Sequence, residues 1–220
     1  MTYCSQLIET NFESIELHEL VSIAIGKMEK LQSRYLAVLD QGLYMGMVSE
    51  DDLLDAEPTE EISSLQRFFI KPLVRTGDHF MLALRVRVKF GIDTVPVVNE
   101  KNELEGIIGI ENMLDQITQM TGAADIGSMI VLEISRHDYA LGEINRLVES
   151  NDAMIMHLNT IADSNSDHIQ VVLRINKEEV SDIVATFQRH EYHVLYYYGE
   201  ESYGNTLQAN LDHLFTYLNV

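Results

Sequence analysis

The chain repeats itself, and that constrains its fold more than any other feature of the sequence. A shift of 59 residues lays Ala24 on Ala83, Ala37 on Pro96 and Val38-Leu39-Asp40 on Val97-Val98-Asn99. One further residue in a turn makes the shift 60, and Gly46 then falls on Gly106, Ser49 on Gly109, Asp52 on Asn112 and Leu53-Leu54-Asp55 on Met113-Leu114-Asp115. Each copy reads alike: a helix (Glu19–Leu31, Asp78–Phe90), a short apolar strand (Tyr35–Leu39, Thr94–Val98), a polar turn, a second strand (Leu43–Val48, Leu104–Ile108) and a closing helix. In the first helix Leu20, Ile23, Ala24, Met28 and Leu31 keep the three-four spacing of one buried face. Length, order and residue class agree, so the first half reads as a duplicated βαββα-type unit.

After the Gly-containing stretch at 121–127, which reads as a linker, the pattern changes. A strand at Ser128–Ile134 precedes an amphipathic helix carrying Leu141, Ile144, Leu147 and Val148. Strands at Ala153–Ala162 and His168–Ile175, a helix at Glu178–Arg189 and a strand at His193–Tyr198 follow. The order β-α-β-β-α-β is the ferredoxin-like plan. In the last strand, alternation puts one of Tyr196, Tyr197 and Tyr198 inside and two outside. Leu207, Leu211, Leu214 and Leu218 mark an amphipathic helix over 203–220, suited to packing on its own chain or a partner. The expected organisation is a repeat module at 1–120 (copies at about 1–57 and 68–120), a linker at 121–127, a second domain at 128–200 and the closing helix, an α+β fold throughout.

The segments at 34–55 (RYLAVLDQGLYMGMVSEDDLLD) and 93–115 (DTVPVVNEKNELEGIIGIENMLD) resemble the two halves of a cystathionine-beta-synthase (CBS) domain pair. That family's pattern is h-P-V-V-D, a hairpin, then G-h-h-[S/T]-x-x-D-h. The first copy matches at Gly46, Ser49 and Asp52 but has Ala37 for the proline; the second keeps Pro96 and Gly106 but has Gly109 and Asn112. The segment at 135–150 resembles an ACT domain, whose motif is D-x-P-G-x-L-x-x-I. Asp138, Tyr139, Ala140 and Ile144 stand at its Asp, Pro, Gly and Ile, allowing a one-residue shift, with alanine where glycine is usual. A CBS pair followed by an ACT domain resembles bacterial acetoin-utilisation-type regulatory proteins.

The resemblance implies a cleft for an adenine nucleotide or other adenosyl ligand, with Ser49 at a phosphate and Asp52 on a ribose diol. A carboxylate has two acceptor oxygens for two hydroxyls. Serine three residues before Asp52 is equally a capping-box variant that needs no ligand. Arg34 stands where the family often places a cation against phosphate, with Arg75 a weaker candidate of that kind. In the second copy Asp93 takes Arg34's place, so with Gly109 and Asn112 the second cleft has lost hydroxyl, carboxylate and cation together. One working cleft is expected, with Asn112 a minor contact.

Other polar groups carry less. The run Glu50-Asp51-Asp52 with Asp55 could hold Mg²⁺, but acidic residues favour any helix start. His190-x-x-His193 lacks a third zinc ligand nearby, and His137-Asp138 has no accompanying nucleophile motif. Fifteen Lys and Arg against 35 Asp and Glu leave a net charge of −20, which repels nucleic-acid backbones and anionic lipid. The single cysteine needs no oxidising compartment, and neither a signal peptide nor an 18-residue apolar run is visible, so a cytoplasmic location is expected. Two readings follow: a dimeric ligand-sensing regulator acting on an unknown partner, or a dimerisation and interaction protein whose clefts bind nothing. An enzyme is not expected.

Overall fold

In each repeat an apolar strand must bury both faces, and it does so between a parallel and an antiparallel neighbour. The computed structural model describes residues 2–125, 127–162 and 166–199. They divide into two compact units, with the boundary between Ile117 and Thr118, and the fold class is α+β.

In the first unit, β1 (Ser14–Glu16) pairs in parallel with β2 (Tyr35–Asp40), which pairs antiparallel with β3 (Leu43–Ser49). The second repeat copies this with β4 (Val74–Arg75), β5 (Thr94–Val98) and β6 (Leu104–Gly109). The helices α1 (Val21–Leu31) and α3 (Phe80–Phe90) bury Ala24 and Ala83 completely. Alanine at this step keeps the helix close to its sheet.

Both helices begin two residues later than their periodicity suggests. Leu20 is extended and offers no side-chain cap; the amides of Val21 and Ser22 instead donate to the carbonyls of Glu60 and Pro58, at 2.9 and 3.1 Å. His79 caps α3 by accepting from Met81 N–H through Nδ1, while Asp78 turns back to accept from Arg75 N–H at 2.7 Å. The predicted face of α1 is also narrower than its spacing implies: Ala24 and Met28 are buried, but Leu20, Ile23 and Leu31 are each about two-fifths exposed.

The closing helices differ in length. α2 (Glu50–Leu54) stops early, because Pro58 follows and Glu57 before it is biased to extended backbone. α4 (Ile110–Thr121) has no such breaker and runs for 12 residues.

The two repeats are laced together by crossed edge pairings. Ile70, at the start of the second repeat and ahead of β4, bridges Met47 on β3 of the first, and Glu9, at the start of the first and ahead of β1, bridges Ile107 on β6 of the second. The hairpins also meet, Tyr44 and Asn102 bonding reciprocally. Ala37, Tyr44 and Met47 accordingly pack with Val74, Val95 and Ile108 in one core, while Ile15, Val38 and Leu53 belong to another.

In the second unit, β7 (Ser128–Ser135), α5 (Leu141–Glu149), β8 (Ile155–Ala162), β9 (His168–Ile175), α6 (Ser181–Arg189) and β10 (His193–Tyr198) form an antiparallel sheet in the order β10-β7-β9-β8. This is the ferredoxin-like order. The strict alternation of β7 buries Ile130, Leu132 and Ile134 against Ile144, Leu147, Val184 and Phe187.

The tyrosine run departs from expectation: Tyr196, Tyr197 and Tyr198 are all about half exposed. β10 is an edge strand whose pairing slips between Val194 and Tyr196, so the alternation breaks and Tyr197, opposite Ile130, stays uncovered. The predicted helix over 203–220 lies outside the described residues. Among those residues no helix is long and apolar enough to cross a membrane.

Candidate ligand clefts

In the first repeat the polar candidates converge because β3 ends where α2 begins. Ser49, the last residue of β3, is opposite Tyr35 in the ladder, and Glu50 N–H donates to the Arg34 carbonyl at 3.0 Å. Arg34, Ser49 and Asp52 therefore gather at one corner. Ser49 caps α2, its Oγ accepting from Asp52 N–H at 3.1 Å and donating to Asp52 Oδ2. The capping alternative of the sequence reading is what the structure shows: the serine caps α2, and its hydroxyl holds the carboxylate of Asp52 in place. Asp52 is half-buried and Arg34 is exposed.

The segment carrying Lys71 crosses β3 three residues before Ser49, at Gly46. The segment at 69–71 crosses Gly46 so closely that a Cβ there would lie 2.7 Å from the Ile70 carbonyl oxygen and 3.6 Å from Lys71 Cγ. Gly46 has φ +146°, so both its conformation and its neighbours require glycine.

The second cleft has the same backbone and different contents. Thr94 faces Gly109 as Tyr35 faces Ser49. Asn112 does not stand free: its Nδ2 donates to the Leu7 carbonyl at 3.2 Å and to Glu9 Oε1 at 2.9 Å. Glu9 Oε1 also accepts from Gly109 N–H at 3.3 Å. Asp93 pairs with Arg87 at 3.5 Å. Arg75 is drawn away from either cleft, donating to the Asn99 carbonyl at 3.2 Å beside Glu100.

The remaining candidates are placed as follows. Glu50, Asp51 and Asp52 form the first turn of α2. His193 Nδ1 is 3.0 Å from Glu133 Oε2 and shares with His190 the lining of a cavity of about 430 Å³, together with Ser135, Asp138 and Glu143. At its wall, burial and then the Glu143 carboxylate push the Tyr192 phenol up. Ala140 beside it is extended, φ −126°, so its own conformation does not call for glycine. His137 meets Ser135 Oγ through its backbone amide. Among the described residues no group of three or more His, Cys, Asp or Glu could hold a metal ion. Burial, with Asp78 adding to it, pushes the Cys4 thiol up to about 11, which keeps it protonated at neutral pH.

No family model matches the chain. Among solved structures, a CBS domain pair/ACT domain protein from Thermotoga maritima is 21% identical, with a TM-score of 0.50, covering 54% of this chain and 98% of its own. The protein CBSX2 in complex with AMP is 20% identical over 54% of this chain and 98% of its own, at a TM-score of 0.46. The cytosolic domain of the Mg²⁺ channel MgtE in complex with ATP is 20% identical over 52% of this chain and 48% of its own, at 0.45. The first likeness shows the fold alone: just over half of this chain is folded like that protein.

Proposed function

We propose that the chain is a regulatory ligand-sensing protein whose first cleft takes an adenine nucleotide or related adenosyl ligand. The observation that carries this is the convergence of Arg34, Ser49 and Asp52 at one corner of the first repeat. A carboxylate accepts from a ribose diol, and a hydroxyl and a guanidinium meet a phosphate. The ligand exchanges the Ser49–Asp52 contact for its own hydroxyls, and it acts as a signal to the extent that it binds one conformation better than the other. The chain works as a homodimer on a protein partner, without nucleic acid or membrane. The exposed Leu20, just before α1, Ile23 and Leu31 of α1, and Met81 and Val88 of α3 supply the apolar faces for self-association. The second unit, ACT-like in strand order, serves association rather than amino-acid capture.

Calorimetric titration of AMP into the full chain tests the reading. Micromolar to millimolar binding that Asp52→Ala weakens supports it. A thermal-shift screen in which AMP, ATP and S-adenosylmethionine all leave the melting point unmoved overturns it. A monomer by light scattering at micromolar concentration overturns the dimer.

One observation favours a second reading, a dimerisation and interaction protein that binds no ligand. Ser49 and Asp52 satisfy each other, and Asn112 is satisfied by Glu9, so both clefts are internally complete. The same screen separates the two readings.

A further inference from the structure

The two clefts are equivalent by sequence repeat, and the crossed segments enter them at the same step. The Ile70 carbonyl lies over Gly46 in the first, and the Glu9 carbonyl lies over Gly106 in the second, where a Cβ would come within 2.5 Å of it. The side chains at that step differ in kind. Ile70 is aliphatic and packs into the core, whereas Glu9 sends a carboxylate to Gly109 N–H and the Asn112 amide.

The residue opposite has changed to match. A Cβ on Gly109 would lie 2.7 Å from Glu9 Oε1. The side chain present at Ser49 in the first repeat would therefore overlap the oxygen that fills the second. Glycine at 109, which in sequence reads as the loss of a hydroxyl, is what makes room for this carboxylate. Asn112 fits the same occupant, since an amide N–H₂ donates to a carboxylate where an aspartate would repel it.

We propose that Glu9 closes the second cleft as an internal ligand, holding the donors of Gly109 and Asn112 against any small molecule that would enter with an acidic group. This rests on reading the clefts as ligand sites. Glu9 is exposed, so the contact can open without disturbing the core. A tethered group competes by occupancy: a ligand finds the donors only for the fraction of time that the contact is open, and its apparent affinity falls by that fraction. The charge of Asp93, at Arg34's place, is partly offset by Arg87, so displacing Glu9 leaves a cleft with free donors and a reduced electrostatic barrier.

The test titrates AMP calorimetrically into the full chain in four forms: wild type, Asp52→Ala, Glu9→Ala and the double variant. Loss on Asp52→Ala reports the first cleft, and gain on Glu9→Ala reports the second. Glu9→Ala is expected to add a second site per chain. In the Asp52→Ala background it is expected to raise affinity by about tenfold, the gain on removing a contact that is closed about nine-tenths of the time. Should Glu9→Ala fail to fold by circular dichroism, Gly109→Ser, which drives the carboxylate off by overlap, carries the same expectation. No gain in a folded variant of either kind, in either background, overturns the proposal. If wild type takes up no AMP, the reading of the first cleft falls alone, because a gain on Glu9→Ala still upholds closure of the second.

Discussion

The two repeats of the first unit share a backbone and a packing pattern, yet one cleft presents a hydroxyl, a carboxylate and a cation while the other is filled by the chain's own glutamate. Buried positions correspond closely: Ala24 with Ala83, Leu53 with Met113, Gly46 with Gly106, each pair similar in size and role. At the surface corner the correspondence stops. Core positions are tied to many neighbours at near-crystalline density, so both copies must meet the same demand. A cleft residue answers only to its few polar partners, and those partners arrive from different segments in the two repeats.

The largest effects should be symmetric. Leu53 and Met113 are both fully buried at the start of their closing helices. Leu53→Ala and Met113→Ala should each cost about 2–5 kcal/mol in denaturant unfolding. A cost confined to one of them would break the structural equivalence of the repeats.

The next effect should be asymmetric. A hydrogen bond to a charged group is worth about 1.5–3 kcal/mol, so Asp52→Ala should weaken AMP binding by about ten- to a hundredfold. Asn112→Ala should change it far less, since its amide already serves Leu7 and Glu9. Equal losses in calorimetry, or a greater loss for Asn112→Ala, would make the second cleft the working one.

Gly46→Ala and Gly106→Ala return to symmetry at a smaller scale. Each added methyl meets a crossing backbone, 2.7 Å from Ile70 O in one case and 2.5 Å from Glu9 O in the other. A destabilisation of about 1–3 kcal/mol is expected for each. Thermal melts showing either substitution to be neutral would mean that the crossing segment yields.

The smallest effect belongs to the first repeat alone. His18 Nδ1 lies 3.0 Å from Glu61 Oε2, and the equivalent of His18 under the repeat is Gly77. The hydrogen bond that His18 donates to the Glu61 carboxylate raises the His18 pKa, and the same bond lowers that of Glu61. The histidine's contribution is complete below its ordinary value and fades as pH rises through the raised one. The carboxylate's contribution is complete above its ordinary value and fades as pH falls through the lowered one. The pair thus supports the fold between the carboxylate and imidazole ranges. Both groups are solvent-exposed, so the readout is an NMR titration of His18. Its midpoint should fall toward the ordinary value in Glu61→Gln, and an unmoved midpoint would remove the contact from solution.

Much of this was legible in the chain because it is local. Strands β5, β9 and β10 lie where the alternation and turn residues put them, and the ferredoxin-like order follows from the sequence of elements. The capping of α2 by Ser49 could be read from three residues. The start of α1 could not, because the amides of Val21 and Ser22 are satisfied by carbonyls some forty residues away. Nor could the exposure of Tyr197, which depends on β10 being an edge strand with a slipped register.

The sequence by itself determined the repeat, the periods that separate helix from strand, and which residue types stand at each cleft, since these are properties of neighbours along the chain. Only the tertiary structure decided what those residues meet. The crossed pairings of Ile70 with Met47 and Glu9 with Ile107 join segments far apart in sequence, and they lay a carbonyl over Gly46 in the first repeat and bring a carboxylate to Gly109 and Asn112 in the second. No local pattern specifies such a meeting, because the free energy that makes it comes from completing the edges of two sheets at once.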